Sequence, residues 1–268
     1  MRSFPRWWRA ERRRSALEEP PGGAAETYFG FEPVAAEEKT ARMVRHFDAV
    51  APVYDRMNTL LSFGIHHAWK RQAVRMLGLR PGMRVLDVCG GTGDLSLLAA
   101  RRVAPRGRVI LYDLNRRMIL AGLPKLRRSR EGAFIRPVQG NAEEIACRDG
   151  SVDAVMVGFG IRNVTRMRRA FAEMHRVLRP GGRLLCLEFS RPTPTAFRLL
   201  YDFYSFRVMP RLGEWIAGNR QAYTHLPESI RTFPLPGELA GLLRGVGFRE
   251  VRWRPFTRGI AVAHLARK

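Results

Sequence analysis

In VLDVCGGTGD, residues 85–94, two carboxylates, Asp87 and Asp94, bracket a turn built from Gly90, Gly91, Thr92 and Gly93. Glycines there leave the backbone bare for a ligand and accept the positive φ of a tight turn. Val85, Leu86 and Val88 ahead of the turn have the composition of a buried strand, and Leu95 to Ala100 behind it that of a helix. Strand, glycine turn and helix make a nucleotide-type cradle. Its spacing fits neither G-x-G-x-x-G nor G-x-x-x-x-G-K-[ST], and it brings no lysine to a phosphate. Two carboxylates repel a pyrophosphate and attract a cation. S-adenosylmethionine, with a sulfonium, an ammonium and no phosphate, therefore suits the turn better than NAD or ATP. Asp87 has a second reading, in which it only closes the turn.

Three later segments stand where a parallel α/β sheet would place them. RVILYDLN, residues 108–115, is a second apolar strand ending at Asp113, followed by Leu114. A carboxylate there accepts hydrogen bonds from both ribose hydroxyls of a bound nucleoside. In VQGNAEEI, residues 138–145, Asn141 and Ala142 follow a short strand and could edge an adenine. In SVDAVMVGFGIRNVT, residues 151–165, a strand from Val152 to Val157 ends at Gly158 and Phe159, the expected floor of the site. RVLRPGGRLLCLEFS, residues 176–190, predicts a helix end, a Pro-Gly-Gly turn and a fifth strand. The βαβαβ order predicts a doubly wound sheet with its ligand at the carboxyl edge, where the hydroxyl or backbone of Thr92 would meet the cofactor's methionine end.

These segments resemble the class I S-adenosylmethionine-dependent methyltransferases. YDRMNTLLSFGIHHAWK (54–70) and RVLRPGGRLLCLEFS (176–190) are similar to the two signature stretches of the ubiquinone/menaquinone biosynthesis C-methyltransferases, the UbiE family. FDAVAPVYD (47–55), FGIRNV (159–164) and LGEWIAGNRQAYTHLPESIRTFP (212–234) extend the likeness, which runs from Tyr28 to His264. The resemblance implies an α/β, Rossmann-like fold with a seven-stranded, mostly parallel sheet covered by helices on both faces. It implies S-adenosylmethionine as cofactor and a prenylated quinol as acceptor, demethylmenaquinol first and 2-polyprenyl-6-methoxy-1,4-benzoquinol as the alternative. Methylation at carbon needs an electron-rich ring, which a reduced quinone supplies once a hydroxyl loses its proton.

Candidates to help that proton leave are Arg162, Asn163, Tyr54, Asp55 and His66. In relatives the arginine of FGIRN has been proposed to act with a water on the hydroxyl, and the resemblance transfers that proposal to Arg162. Arginine keeps its charge, so stabilising the phenolate suits it better than taking the proton. Asp55, with Met57 and Asn58, has an alternative duty in starting and packing a helix. His66 precedes an amphipathic core helix through Trp69, Ala73, Met76 and Leu77, with His67 outside. The family often has serine where Gly158 stands, so a side-chain bond from that position to the cofactor is missing.

Residues 1–35 are expected to form a basic, flexible extension ahead of a methyltransferase domain at 36–268. Within that domain 36–80 would be a helical cover and 191–235 an acceptor-site insertion. In the insertion, helical spacing puts Phe197, Leu200, Tyr201, Tyr204 and Val208 on one face, and Arg198, Asp202 and Ser205 on the other. Such a stripe is either core or acceptor contact; Tyr201, Tyr204 and Tyr223 are the substrate candidates. The carboxyl end predicts a helix and two strands that complete the sheet.

The formal charge is +23, and 43 of the 47 basic residues are arginine. Nucleic acid, plain solvated surface and an anionic membrane each account for it. The membrane suits a lipid acceptor, since each basic residue near such a surface contributes about 1 kcal/mol. No Pro-Cys pair or Asn-Pro-Pro-Tyr motif supports nucleic-acid methylation, and none is expected. A non-catalytic lipid-binding protein with a vestigial cofactor fold is a further class. Cys89, Cys147 and Cys186 are scattered, predicting reduced thiols, and without HExxH no metal is expected. Residues 1–14 lack an apolar core for a signal peptide, and no run of 18 apolar residues occurs. The expectation is a cytoplasmic protein bound peripherally to the inner face of the membrane, with room for a homodimer.

Overall fold

In a computed structural model, residues 26–217 and 220–268 are described. Seven strands form the central sheet: β3 (Arg84–Val88), β4 (Arg108–Asp113), β5 (Ile135–Gln139), β6 (Val152–Gly158), β7 (Leu178–Phe189), β8 (Arg249–Phe256) and β9 (Ala261–Arg267). Their order is β5-β4-β3-β6-β7-β9-β8, parallel except that β9 runs against both β7 and β8. The expected fold class is the one observed. Alternate residues of each central strand enter opposite cores: Val85, Met156 and Leu185 on one face, Leu86, Val155 and Leu184 on the other. A sheet covered on both faces needs apolar residues at every position, which is why these strands read as continuous apolar runs.

On the first face lie α3 (Ile65–Met76), packed through Trp69 and Ala73, and α4 (Asp94–Val103), packed through Ala99 and Val103. α5 (Arg116–Arg128) completes that layer. On the second face α6 (Met167–Val177) and α10 (Pro236–Val246) bury Phe171, Met174 and Leu243. The Pro-Gly-Gly stretch is not a free turn. Leu178 already pairs with Val152, and a bulge then brings Arg183 opposite Ala154, with Gly181 at φ 75°.

Ahead of the sheet come a hairpin, β1 (Glu26–Phe29) and β2 (Glu32–Ala35), then α1 (Ala36–Val50), a 3₁₀ turn (Ala51–Val53) and α2 (Tyr54–Leu61). The expected extension is thus too long: its last ten residues form a paired hairpin. Lys39 of α1 ties that hairpin to the domain, its buried ammonium donating to Thr27 Oγ1 at 3.3 Å and to the Val164 carbonyl at 3.2 Å. What was expected of residues 1–25 lies outside the described residues.

The insertion is helical: α7 (Thr195–Phe203), a π-turn (Tyr204–Val208), α8 (Met209–Ala217) and α9 (Arg220–Thr232). Here the helical-face expectation fails. Asp202 and Ser205 are buried, while Leu200 is 64% exposed. Arg231 on α9 pairs with Asp202 inside the protein, which removes the penalty that would have kept the carboxylate outside. Phe197, Tyr201 and Tyr204 still face inward.

Gly93 links fold and site because it caps α4 at φ 87°, and a Cβ there would lie 2.9 Å from Leu111 Cδ1 and 3.0 Å from Leu126 Cδ2. Gly82 has a similar φ of 91° with nothing within 4 Å. Gly93→Ala should cost about 1–3 kcal/mol, and Gly82→Ala only the backbone part of that. Equal drops in melting temperature for the two variants would refute the packing argument.

Candidate active site

The register brings the ends of four strands level. Val88 pairs with Tyr112 and with Val157, and Val157 with Cys186. The residues that follow, Cys89, Asp113, Gly158 and Leu187 to Glu188, therefore share one edge. Between β3 and β6 the chain's direction of winding reverses, which opens a crevice at that edge.

The glycine turn is held from both sides. Gly90 N–H donates to the Tyr112 carbonyl at 3.2 Å, Gly91 N–H to Asp113 Oδ2 at 2.8 Å and Gly93 N–H to the Gly90 carbonyl at 2.9 Å. Asp113 Oδ1 accepts from Asn115 N–H at 2.7 Å. Burial raises the Asp113 pKa, while the two backbone donors oppose that rise. Each of its oxygens retains acceptor capacity for a hydroxyl. Gly93 itself lines neither cavity; it contributes by starting α4. Cys89 and Phe159 hold positive φ of 54° and 58° beside the crevice, conformations that a non-glycine residue keeps only under constraint.

A cavity of about 100 Å³ runs along Gly91, Asp113, Leu114, Asn141, Ala142, Gly158 and Phe159. These are the residues expected to hold an adenosyl group. Asn141 Oδ1 accepts from Glu143 N–H at 2.9 Å, turning the chain after β5. Met43, Val44 and Met118 also line this cavity, and they were missed because a lone apolar residue on a helix gives no sign that it faces a ligand. At Gly158 a Cβ would meet Leu95 Cδ1 at 2.3 Å, so Leu95 occupies the space that a serine would need.

A second cavity, about 690 Å³, adjoins the first along Phe47, Tyr54, Cys89, Gly91, Phe159 and Asn163. Gly90, Thr92 and Asp87 reach it, as do Arg162, His66, Tyr201, Tyr204 and Tyr223. All three tyrosines expected to contact the acceptor are there. Tyr223 is buried, which pushes its hydroxyl up to about 12; burial likewise raises Tyr54. Tyr204 donates to the Leu61 carbonyl at 2.9 Å.

Arg162 is the most constrained polar residue of this wall. Its Nη1 donates to Glu188 Oε1 at 2.7 Å and to the Phe159 carbonyl at 2.6 Å, and its Nε to Ser229 Oγ at 3.3 Å. Glu188 is buried and also accepts from Phe189 N–H at 2.8 Å. Glu188 went unnoticed in the sequence, although an isolated acid at the end of an apolar strand is the same signal that marked Asp113.

Two candidates depart from expectation. Asp55 does not line the cavity: its oxygens accept from Thr92 Oγ1 at 2.6 Å and Lys125 Nζ at 2.7 Å, so it anchors the glycine turn. His66 lines the cavity, but Ser62 Oγ lies 2.6 Å from its Nδ1, and burial, then Lys70 and His67, push its pKa down to about 4.

Asp94 also differs from its expected role. Lys70 and Lys125 pair with it at 2.8 Å and 2.5 Å and, against the opposing effect of burial, hold its carboxyl well below the usual range. Its charge is thereby neutralised, and the acidic character of the crevice falls to Asp87 and Asp113. Asp87 is fully buried; Oδ2 accepts from Ser96 Oγ at 2.6 Å, and Oδ1 has no partner among the described residues. Burial raises its pKa to about 7. A buried acceptor left open beside a bare glycine turn fits an ammonium-bearing ligand. His66, His67 and Asp94 approach within 4.8 Å of one another, but Asp94 is already claimed by two lysines.

A model of the ubiE/COQ5 methyltransferase family matches residues 35–268. The chain belongs to that family. Two curated relatives, both called ubiquinone/menaquinone biosynthesis C-methyltransferase UbiE, bear this out. The Haemophilus ducreyi protein is 43% identical over 242 residues, 90% of this chain and 93% of that one. The Yersinia pestis protein is 44% identical over 238 residues, 89% of this chain and 95% of the relative. Among solved structures, a SAM-dependent methyltransferase from Aquifex aeolicus superposes with a TM-score of 0.56 at 18% identity, over 74% of this chain and 88% of its own. A phosphoethanolamine N-methyltransferase from Haemonchus contortus gives 0.54 at 15%, over 75% and 52%. These two likenesses speak for the fold. This ubiE/COQ5 family member is a methyltransferase that uses S-adenosylmethionine, which when bound supplies an electrophilic methyl group on a sulfonium. We infer that Asp113 and the glycine turn hold its ribose, and Asp87 its ammonium.

The raised pKa of Asp87 makes cofactor affinity depend on pH. A cation beside it favours the ionised form, so below about pH 7 binding must release a proton. Affinity for S-adenosylhomocysteine, which keeps the ammonium, should be highest near about pH 8, before the ligand's own amine loses its proton, and weaken by up to about tenfold per unit below pH 7. Titration calorimetry checks this, with Asp87→Asn expected to flatten the profile. A wild-type affinity unchanged between about pH 6 and pH 8 would refute the assignment.

Proposed function

We propose that this protein transfers a methyl group to a ring carbon of a prenylated hydroquinone in respiratory quinone biosynthesis, with demethylmenaquinol as the acceptor. The observation that supports it most is the larger cavity, which joins the glycine turn to walls of Phe47, Phe159, Phe189, Phe197, Tyr201, Tyr204 and Tyr223. Aromatic walls suit a flat ring, and a volume of about 690 Å³ admits a two-ring head with the start of a prenyl chain. The relatives' names point the same way. Arg162, fixed by Glu188, presents a guanidinium to this space, and a fixed cation stabilises a phenolate where it forms. The ring carbon would gain the methyl as the sulfur–methyl bond breaks and leaves its electron pair on a neutral thioether; the carbon's own hydrogen then leaves to solvent as a proton, and the electron pair of that C–H bond restores the aromatic ring.

Purified protein, labelled S-adenosylmethionine and, in parallel, demethylmenaquinol or the methoxybenzoquinol under reducing conditions test this. Label should enter the naphthoquinol faster. Label in neither lipid would refute the reaction, and a faster benzoquinol would reassign the acceptor. Arg162→Ala should lower kcat by about 10²–10³-fold.

We infer further that the acceptor is taken from the inner leaflet of a membrane. Among the described residues no helix is long and apolar enough to cross one. Phe63, 83% exposed, stands at the cavity rim, and Leu199, Leu200 and Phe203 are exposed on α7, whose inner face lines the same cavity. Arg207 and Arg211 follow along the exposed side. Apolar groups beside basic ones suit an anionic interface. Leu200→Glu with Phe203→Glu should reduce sedimentation with anionic vesicles at least tenfold while sparing turnover of a detergent-dispersed short-chain quinol. Unchanged sedimentation would refute the docking face.

A further inference from the structure

On the wall of the larger cavity, polar atoms remain without partners among the described residues. His225 is 6% exposed, and neither Nδ1 nor Nε2 has a hydrogen-bond partner among the described residues; the same holds for Asn163 Oδ1. Both residues line the cavity, next to Arg162. Native interiors rarely leave such atoms unmet, and one that stays unmet at a cavity wall points to a functional role or to a polar group that enters the cavity.

The ring of His225 is held in place by packing. It stacks on Phe29 with centroids 4.2 Å apart and planes at 27°, and His46 lies against it at 5.1 Å. It sits one helical turn before Ser229, the residue that accepts from Arg162 Nε. The β1–β2 hairpin, α1 and α9 thus converge on one imidazole, whose nitrogens have no hydrogen bond among the described residues.

We propose that His225 is a substrate-recognition residue that, together with Asn163, receives the hydroxyl hydrogens of the acceptor ring and so makes the cavity select the hydroquinone over the quinone. This rests on the hydroquinone reading above. A neutral imidazole has one donor and one acceptor nitrogen, and an amide oxygen only accepts. A hydroquinone hydroxyl donates and accepts, so it can satisfy both residues while still offering a lone pair to Arg162. A quinone has carbonyl acceptors alone, and leaves Asn163 Oδ1 and the bare nitrogen of His225 unmet. Sites built to bond a hydroxyl reject analogues that lack it.

The neighbours keep the ring neutral. Burial, then His46, Arg162 and Lys39, push the His225 pKa down to about 2; burial and Arg162 bring His46 to about 4. A ring so hard to protonate does not take the proton. Its contribution is to orientation and affinity, which fall on KM more than on kcat.

The test compares wild type, His225→Phe and His225→Gln under anaerobic conditions, with a short-chain naphthohydroquinone as substrate and the matching naphthoquinone as competitor. Phenylalanine keeps the stack on Phe29 and removes both nitrogens; glutamine restores a donor and an acceptor. In wild type the quinone should inhibit with a constant at least about tenfold above the hydroquinone KM. In His225→Phe the KM should rise by about tenfold and that preference collapse. Homocysteine-product affinity should stay unchanged, and His225→Gln should recover most of the KM. Equal competition by quinone and hydroquinone in wild type, or an unchanged KM in a His225→Phe that still binds S-adenosylhomocysteine, would overturn the proposal. If the phenylalanine variant does not fold, the wild-type competition decides alone. If wild type turns over no quinol, the reaction reading fails separately, and calorimetric binding of hydroquinone against quinone to wild type and His225→Phe still tests His225: a preference absent in wild type, or kept in the variant, overturns the proposal.

Discussion

Parallel strands in register end together, and at their common edge the backbone must turn away with its polar groups unpaired by the sheet. The level ends of β4, β3, β6 and β7 place Asp113, the glycine turn, Phe159 and Glu188 within reach of one another. Reversal of winding between β3 and β6 keeps any crossover from filling the gap. The crevice is therefore a consequence of topology, and the chemistry follows from which side chains stand at its rim.

Electrostatic division of labour at that rim is set by burial and pairing rather than by residue type. Asp94 and Asp87 sit at opposite ends of one turn, yet the first is neutralised by Lys70 and Lys125 while the second is sealed against solvent with an oxygen free. Asp55, which reaches Thr92 and Lys125, extends the lysine network beneath the turn and steadies the backbone that must meet the cofactor. Across the crevice, the buried Arg162–Glu188 pair fixes a cation at the wall of the larger cavity. A pair of this kind contributes little net stability, which leaves orientation as its use.

The insertion shows why a helical pattern misled. Apolar residues at 197, 200, 201, 204 and 208 suggested one inward face, but the helix has two environments, a cavity for Phe197, Tyr201 and Tyr204 and an outer surface for Leu199, Leu200 and Phe203. The split already runs through α7, ahead of the π-turn at Tyr204–Val208, and Arg231, 29 residues later, makes burial of Asp202 tolerable. Nothing local to residues 195–208 encodes either fact.

Sequence alone determined the sheet, the glycine turn, the acid that ends the second central strand and the family, because strand composition, positive-φ glycines and motif order are local and survive without a partner. That Tyr201, Tyr204 and Tyr223 would face one cavity was also legible, since aromatic residues in an insertion at the open edge have few other places to go. Only the tertiary structure decided which acids keep their charge, that Asp55 faces the turn and not the cavity, and that Glu188 locks Arg162. It alone brought Phe29, His46 and His225 together from three elements. Each of those outcomes depends on desolvation and on partners dozens of residues distant, and pKa and hydrogen-bond satisfaction are properties of surroundings that a one-dimensional chain does not display.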